Sequence, residues 1–183
     1  MSELLDLLRA RAFARRTVTL SSGKQSDWFV DCKQAVLSSR GHVLVGRALF
    51  DRCLRMPEVP TAVAGVELGG CSLASAVATH SAATEWPMDA MYVRKEAKAH
   101  GSARRIEGAN HLPEGTPVVV LEDVVTTGGS TLRAVQNLRD HGFQVLGVVA
   151  IVDRGEEGGA EALAKEGLVF DALYGRPDFM GTP

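Results

Sequence analysis

The feature that most constrains this chain is an alternation between short apolar runs rich in β-branched residues and stretches with helical spacing. Strands that alternate with helices build βαβ units, in which a mainly parallel sheet is covered by helices on both faces. We therefore expect an α/β fold with a mainly parallel central sheet flanked by helices. The apolar runs are TAVAGV (61–66), MDAMYV (88–93), TPVVVLED (116–123), FQVLGVVAIVDR (143–154) and LVFDALYG (168–175).

The size and composition of the chain favour a single domain over residues 1–183. With 183 residues, 45% of them hydrophobic, it can bury one sizeable core and is short for two. A formal net charge of -2 argues against a generally basic nucleic-acid binder, so any anion site must be local.

The first 16 residues carry acids and helically spaced leucines, which predicts an amphipathic helix and neither a signal peptide nor a membrane span. The three widely spaced cysteines match no zinc pattern and indicate reduced thiols in a cytoplasmic protein.

Polar side chains follow four of the predicted strands. Because the carboxyl ends of parallel strands share one edge of a sheet, ligands of such folds bind there, in the connecting loops. We therefore expect these segments to converge on one crevice. They are Glu67 to Gly70, Arg94 onward, Glu122 to Ser130, and Asp153 with Arg154.

The segment EDVVTTGGS (122–130) combines two acids with a Thr/Gly-rich turn at the end of a buried strand. Free backbone N–H groups, hydroxyls and the dipole of the helix that begins near Ser130 favour an anion such as phosphate. A plain β-to-α turn with a hydroxyl cap is the alternative. The acid pair would repel an anion unless it faces sugar hydroxyls or Mg²⁺, so a phosphorylated sugar suits the whole segment. The pattern is neither a GxxxxGK[ST] loop nor a GxGxxG fingerprint.

This segment resembles the 5-phosphoribosyl 1-diphosphate (PRPP) binding motif of the type I phosphoribosyltransferases. The resemblance implies the fold of that family, with a small hood formed by the N-terminal region, and we call Glu122 to Ser130 the donor loop. The residues implied to bind PRPP are Glu122, Asp123, Val124, Val125, Thr126, Thr127, Gly128, Gly129 and Ser130.

A strongly basic stretch lies between Arg94 and Arg105, where five Lys or Arg residues stand against one Glu. It is either a solvated surface loop or a loop that clamps a polyanion, in which cations stabilise a leaving diphosphate while water is excluded. The sequence RKEAKAHG within it resembles the catalytic loop of the orotate phosphoribosyltransferases. That resemblance implies a mobile catalytic loop over residues 94–112, reaching into the neighbouring subunit of a homodimer. Its implied catalytic and PRPP-contacting residues are Arg94, Lys95, Lys98 and His100.

Two further segments resemble the same family. LSSGKQSDWFVDCKQ (20–34) is similar to its N-terminal segment, part of the hood over about residues 1–35, in which the orotate ring lies beside aromatic side chains. Trp28 and Phe29 take that position, although a strand core fits them equally well, and Lys24 is included with them. VVAIVDRG is similar to a strand end whose arginine, here Arg154, binds orotate, which a guanidinium fork suits. Thr126 matches a threonine that also touches orotate.

Two positions depart from the pattern of some family members. Ser21 and Gly69 stand where those members have a lysine, and Lys24 cannot be assumed to replace either one. The departures put a second diphosphate-binding lysine in doubt.

The resemblance implies transfer of the 5-phosphoribosyl group from PRPP to orotate, giving orotidine 5′-phosphate and diphosphate in pyrimidine synthesis. It also implies Mg²⁺, held mainly by diphosphate, ribose hydroxyls and water, with no direct protein ligand assigned. One alternative is a phosphoribosyltransferase for a purine or another pyrimidine, because the donor loop does not read the acceptor. Another is a regulatory protein that retains the fold and senses a nucleotide or binds RNA.

Overall fold

The computed structural model describes residues 2–19, 23–95 and 105–181. The strands in these ranges are β1 (Phe13–Ala14), β2 (Val18–Thr19), β3 (Gln25–Ser26), β4 (Phe29–Val30), β5 (Ala62–Val66), β6 (Asp89–Val93), β7 (Ile106–Glu107), β8 (Pro117–Val125), β9 (Gln144–Asp153) and β10 (Val169–Gly175). The helices are α1 (Glu3–Arg11), α2 (Lys33–Val36), α3 (Ser39–Cys53), α4 (Gly69–Ser81), α5 (Gly129–Asp140), α6 (Gly159–Lys165) and α7 (Arg176–Met180).

The central sheet has six strands in the order β10-β9-β8-β5-β6-β7. Neighbouring strands are parallel except for β7, which pairs with β6 in the antiparallel sense. The α/β fold with a mainly parallel sheet, predicted from the alternation of strand-like and helix-like segments, is confirmed. The strand order reverses direction around β5 and β8, which places the loops that follow these two strands side by side.

Both faces of the sheet are buried, which is why its strands are apolar at consecutive positions. Alternate residues of β8 belong to two separate cores: Val119 and Leu121 pack with α1, α3 and α4, whereas Val118 and Val120 pack with α5 and α6. All four are fully buried, so each face of the strand contributes hydrophobic free energy of about 1.5–3 kcal/mol per large side chain.

The N-terminal region packs beside this sheet. The predicted amphipathic helix is confirmed as α1, which buries Leu4, Leu5 and Leu8. Beyond it, β1 pairs with β4 and β2 pairs with β3 as two short antiparallel ribbons. These ribbons carry the segment that resembles the orotate-binding hood.

The structure differs from the sequence prediction in two places. Strand β8 continues to Val125, two residues beyond the predicted run TPVVVLED, so Glu122 and Asp123 lie within the strand and not behind its end. The edge strand β7 lies inside the stretch 94–112, which we predicted to be a mobile loop. Ile106 explains the strand, because this side chain is buried in the core on the α5 side while its backbone pairs with Val93.

The structure also bears on the cysteines and on membrane-spanning helices. Cys32, Cys53 and Cys71 are free thiols, as expected, and the first two are buried. Within the described ranges, every helix is too short or too polar to cross a membrane.

Candidate active site

The turn of the donor loop exposes the start of α5. Gly128 adopts φ 76°, the left-handed region that favours glycine, and α5 begins at the next residue without a side-chain cap. The backbone N–H of Gly129 makes only a long contact of 3.4 Å with Thr127 Oγ1. The first N–H groups of the helix are therefore available to an anion, and the helix dipole favours negative charge there.

The two acids of the donor loop have different surroundings. Glu122 is buried, and its Oε2 accepts hydrogen bonds from Thr131 Oγ1 at 3.3 Å and Ser130 Oγ at 3.5 Å. Burial, reinforced by the neighbouring Asp123 carboxylate, raises the pKa of Glu122 to about 8. Asp123 is partly exposed and lies 3.8 Å from Lys33 Nζ. At neutral pH the pair therefore carries less negative charge than two free carboxylates.

Lys33 is a site residue that the sequence analysis missed. Its Nζ contacts Asp31 Oδ1 at 2.6 Å as well as the Asp123 carboxylate, which places a cation beside the acid pair. Asp31 and Lys33 are the two charged residues of FVDCKQ, and nothing in the sequence places either of them beside Asp123.

Gly69, at a position where some relatives of the family carry lysine, has a structural reason to be glycine here. A Cβ atom at this position would overlap the carboxylate of Asp123. Any side chain at residue 69 would therefore force Asp123 to move. Ser21, the other departure, lies outside the described residues.

The residues at the start of the basic stretch lie against the donor loop. Arg94, Lys95 and Ser130 line one small depression, together with Arg133 of α5, which the sequence analysis did not single out. The backbone N–H of Lys95 donates to Glu67 Oε2 at 3.0 Å, which fixes this segment to the loop after β5. Arg94 Nε is buried without a hydrogen-bond partner within the described part of the chain. Lys98 and His100 lie outside the described residues.

A cavity of about 530 Å³ opens beside the donor loop, and we call it the Arg154 cavity. It brings together Phe29, Thr126 and Arg154, three residues that the sequence predicted to contact orotate, from distant parts of the chain. Thr126 also belongs to the donor loop, so the cavity and the loop adjoin at this residue. The other lining residues are Arg16, Thr17, Val18, Thr19, Val30 and Val124.

Arg16 was missed, and its guanidinium carbon lies 4.3 Å from the centre of the Phe29 ring. Such a cation–π contact orients both groups at the wall of the cavity. A cluster of arginines after an amphipathic helix gives no sequence signal that separates one from its neighbours, which is why Arg16 was not identified.

Two of the predicted orotate contacts are not brought to the Arg154 cavity. The Trp28 ring is completely buried between Phe13, Phe179 and Arg154, so the strand-core alternative describes it. Arg154 lies over this ring, with its guanidinium carbon 4.2 Å from the ring centre. The Lys24 side chain is 70% exposed and lies 3.9 Å from Glu157, outside the set of residues that line the cavity. Trp28 directly precedes β4, and its side chain lies in the core while that of Phe29 lines the cavity.

Comparison with known proteins gives one consistent family. Residues 36–170 match the family described as phosphoribosyl transferase domain. The chain is 54% identical over 177 residues to an orotate phosphoribosyltransferase of Sorangium cellulosum, covering 97% of this chain and 91% of that protein.

Solved structures agree with the sequence comparison. The orotate phosphoribosyltransferase of Mycobacterium tuberculosis, in a crystal structure with Fe(III) dicitrate, superposes with a TM-score of 0.81 at 39% identity and 97% coverage of both chains. A structure of the Mycobacterium tuberculosis enzyme in complex with PRPP gives a TM-score of 0.76 at 33% identity, covering 97% of this chain and 89% of that one. The family predicted from the sequence motifs is confirmed: the chain belongs to the phosphoribosyl transferase domain family and, within it, to the orotate phosphoribosyltransferases.

Proposed function

We propose that this protein transfers the 5-phosphoribosyl group from PRPP to orotate, releasing orotidine 5′-phosphate and diphosphate for pyrimidine synthesis. The observation that carries the proposal is the position of Thr126, which belongs both to the donor loop and to the wall of the Arg154 cavity. A ribose bound at the loop therefore has its reacting carbon next to a cavity that suits a flat anionic ring. The relatives named orotate phosphoribosyltransferase cover nearly the whole chain and support the same reaction.

The donor loop binds the sugar phosphate. The N–H groups from Thr127 to Ser130 and the dipole of α5 hold the 5-phosphate, while Glu122 and Asp123 face the ribose hydroxyls. Because the pKa of Glu122 is raised to about 8, this acid keeps a proton at neutral pH and can donate a hydrogen bond to a hydroxyl. The loop thus holds a hydroxyl-rich sugar without placing two full negative charges beside its phosphates.

The Arg154 cavity binds the base. Arg154 supplies a permanently charged guanidinium donor for a carboxylate or an acyl-urea edge, and Phe29 supplies an apolar surface for the ring. During transfer the bond from the ribose anomeric carbon to diphosphate breaks with its electron pair going to diphosphate. The base nitrogen forms a bond to that carbon and gives up its proton, which passes to solvent. The protein contributes by holding both reactants in line and by stabilising the charge that develops on the leaving group.

Mg²⁺ fits this site as an ion that binds together with the substrate PRPP. Within the described residues, no group of three or more His, Cys, Asp or Glu side chains forms a metal site. Mg²⁺ usually takes one or two carboxylate ligands from a protein, and phosphates and water complete its coordination shell. The partly exposed Asp123 carboxylate is a ligand of this kind. Bound with PRPP, Mg²⁺ would neutralise diphosphate charge, and Asp123 would be the carboxylate of the donor loop that helps to hold it.

The basic stretch completes the site in a homodimer. Lys98 and His100, together with Arg94 and Lys95, bind the diphosphate, and Lys98 is the foremost catalytic candidate, as the resemblance of RKEAKAHG implies. The depression shared by Arg94, Lys95 and Ser130 supports the diphosphate contacts of Arg94 and Lys95, because it places these two residues beside the donor loop.

A spectrophotometric orotate-consumption assay tests the proposal. Purified protein is mixed with orotate and PRPP, with and without Mg²⁺, and hypoxanthine and uracil replace orotate in parallel reactions. We expect Mg²⁺-dependent consumption of orotate and no transfer to the other bases. Transfer to hypoxanthine or uracil without transfer to orotate would assign a different acceptor, and RNA binding without any transfer would favour the regulatory alternative.

A further inference from the structure

The Arg154 guanidinium is held along one side by a set of hydrogen bonds. Its Nη2 donates to Ser26 Oγ at 2.7 Å, to the Trp28 carbonyl at 3.1 Å and to Glu156 Oε2 at 3.1 Å. Its Nε donates to the same Glu156 oxygen at 3.3 Å. Nη1 has no acceptor within hydrogen-bond distance among the described residues, so it is the guanidinium nitrogen left for a ligand.

Glu156 is the centre of this set of hydrogen bonds. Its second oxygen, Oε1, accepts from Trp28 Nε1 at 2.6 Å, from Ser26 Oγ at 3.2 Å and from Arg176 Nη1 at 2.7 Å. Ser26 therefore accepts from Arg154 and donates to Glu156, which links the two charged groups a second time. Burial acts to raise the pKa of Glu156, but hydrogen bonds from Trp28 and Arg154 outweigh it and lower the pKa. The carboxylate stays charged and oriented.

Arg176 connects this carboxylate to the C-terminal helix. Its guanidinium forms paired hydrogen bonds of 2.8 and 2.9 Å with Asp27 besides the contact with Glu156. Helix α7, which begins at Arg176, is anchored by Phe179, whose ring centre lies 5.6 Å from that of Trp28. The ribbon from Ser26 to Trp28, the loop after β9 and the C-terminal helix thus meet at Glu156.

We propose that Glu156 is a positioning residue for recognition of the acceptor: by engaging Nε and Nη2 of Arg154, it leaves Nη1 as the donor for the acidic edge of the pyrimidine. This inference rests on the proposed function, in which Arg154 contacts orotate. Charge compensation alone would need only a nearby carboxylate. The directional contacts to one edge of the guanidinium, shared with Ser26 and the Trp28 carbonyl, instead select one orientation of the fork.

The variant Glu156→Gln keeps the shape of the side chain but removes the carboxylate that orients the Arg154 guanidinium. The amide oxygen can still accept from Trp28 and Arg176, but its NH₂ group then faces the donors of Arg154. Steady-state kinetics should show an orotate KM raised about tenfold, because a hydrogen bond to a charged group is lost, with kcat and the PRPP KM within about twofold of the parent. Glu161→Gln, an exposed carboxylate on α6, is the matched control and should change none of the three constants.

A double-mutant cycle with Arg154→Ala tests whether Glu156 acts through Arg154. If it does, adding Glu156→Gln to Arg154→Ala raises the orotate KM no further. A second tenfold rise in that background, or an unchanged orotate KM in the single Glu156→Gln variant, overturns the inference. Glu156→Asp, which keeps the charge, should recover part of the lost affinity.

Arg176→Gln keeps the inference testable if Glu156→Gln does not fold. This side chain is 38% exposed, so its replacement spares the core, and the loosened Glu156 should raise the orotate KM about threefold. An orotate KM unchanged in Arg176→Gln overturns the inference in that case. Failure of the parent protein to use orotate at all would instead overturn the proposed function, so the two failures are distinguishable.

Discussion

The donor loop and the Arg154 cavity adjoin at Thr126, but the chain builds them differently. The donor loop is one uninterrupted segment at the end of β8, whose chemistry depends on backbone N–H groups, a glycine with positive φ and two neighbouring acids. The cavity takes side chains from the N-terminal ribbons, from β8 and from the end of β9. It also depends on Glu156 and Arg176, which do not line it. In the proposed function, a local backbone motif therefore binds the donor, whereas a tertiary assembly of side chains binds the acceptor.

This contrast predicts that changes in the two regions affect different substrates, whereas changes in the basic stretch affect the chemical step.

Lys98→Ala should have the largest effect, on turnover. If this lysine stabilises the leaving diphosphate, kcat falls by roughly 100-fold or more, while the orotate KM stays within a few fold of the parent. Lys165→Ala, an exposed lysine on α6, controls for the loss of one positive charge. Near-normal turnover of Lys98→Ala would remove this residue from the catalytic assignment.

Arg154→Lys should act on the acceptor alone. The ammonium keeps the charge but loses the fork and its fixed contacts with Glu156 and Ser26, so the orotate KM should rise about 100-fold with the PRPP KM within about twofold. Arg139→Lys, an exposed arginine on α5, provides the matched control in the same assay. An equal rise in both Michaelis constants would mean that the two regions are not separable in this way.

Gly128→Ala should act on the donor alone. The alanine is strained at φ 76°, and its Cβ would lie 3.3 Å from the Gly159 carbonyl oxygen, so the turn distorts and the PRPP KM rises about tenfold. Gly115→Ala places the same substitution at φ 80° with open space around it, away from the site. Both variants should lose about 1–2 kcal/mol of stability, and only Gly128→Ala should change a Michaelis constant. A similar rise for Gly115→Ala would attribute the effect to global destabilisation.

Glu122→Gln should change how stability depends on pH. The folded protein holds the Glu122 proton up to about pH 8, whereas the unfolded chain loses it near 4.5, so folded protein binds the extra proton between these values. Stability of the parent therefore falls as pH rises through this window and levels off above it, and the variant lacks this decline. Thermal unfolding at pH 5 and pH 8.5 should show Glu122→Gln gaining at least about 2 °C on the parent at the higher pH. Glu161→Gln, which replaces an exposed carboxylate, is the control and should show no such gain. If the stability of Glu122→Gln and that of the parent depended on pH in the same way, the raised pKa of Glu122 would be contradicted.

Lys24→Ala should have the smallest effect. Its side chain is 70% exposed and lies outside the residues lining the Arg154 cavity, so the orotate KM should change by less than about twofold. A tenfold rise would show that Lys24 reaches the acceptor after all.

The same contrast explains what the sequence could predict. The sheet followed from apolar runs that alternate with helical spacing, because burial on both faces leaves that pattern in each strand. The donor loop could be predicted residue by residue because its motif is contiguous in the chain. Its neighbour Lys33 was missed because its proximity to Asp123 arises only when the segment after β4 packs beside β8.

The Arg154 cavity was predicted only in part. Arg154, Thr126 and Phe29 were predicted through family resemblance, and the structure brings them together at the cavity. The side of the ribbon on which Trp28 lies depends on the register of two-residue strands, which periodicity cannot fix. The roles of Arg16 and Glu156 depend on contacts between segments far apart in the chain. Such contacts leave no local pattern, so they emerge only from the folded structure.

Steady-state kinetics with both substrates varied, comparing the parent, Gly128→Ala and Arg154→Lys, tests the claim that the donor loop and the Arg154 cavity bind different substrates. If a local loop reads the donor and an assembled cavity reads the acceptor, Gly128→Ala raises the PRPP KM about tenfold and Arg154→Lys raises the orotate KM about 100-fold. In each variant the other constant stays within about twofold. The claim is contradicted if both variants raise the same constant, or if each raises both constants by similar factors.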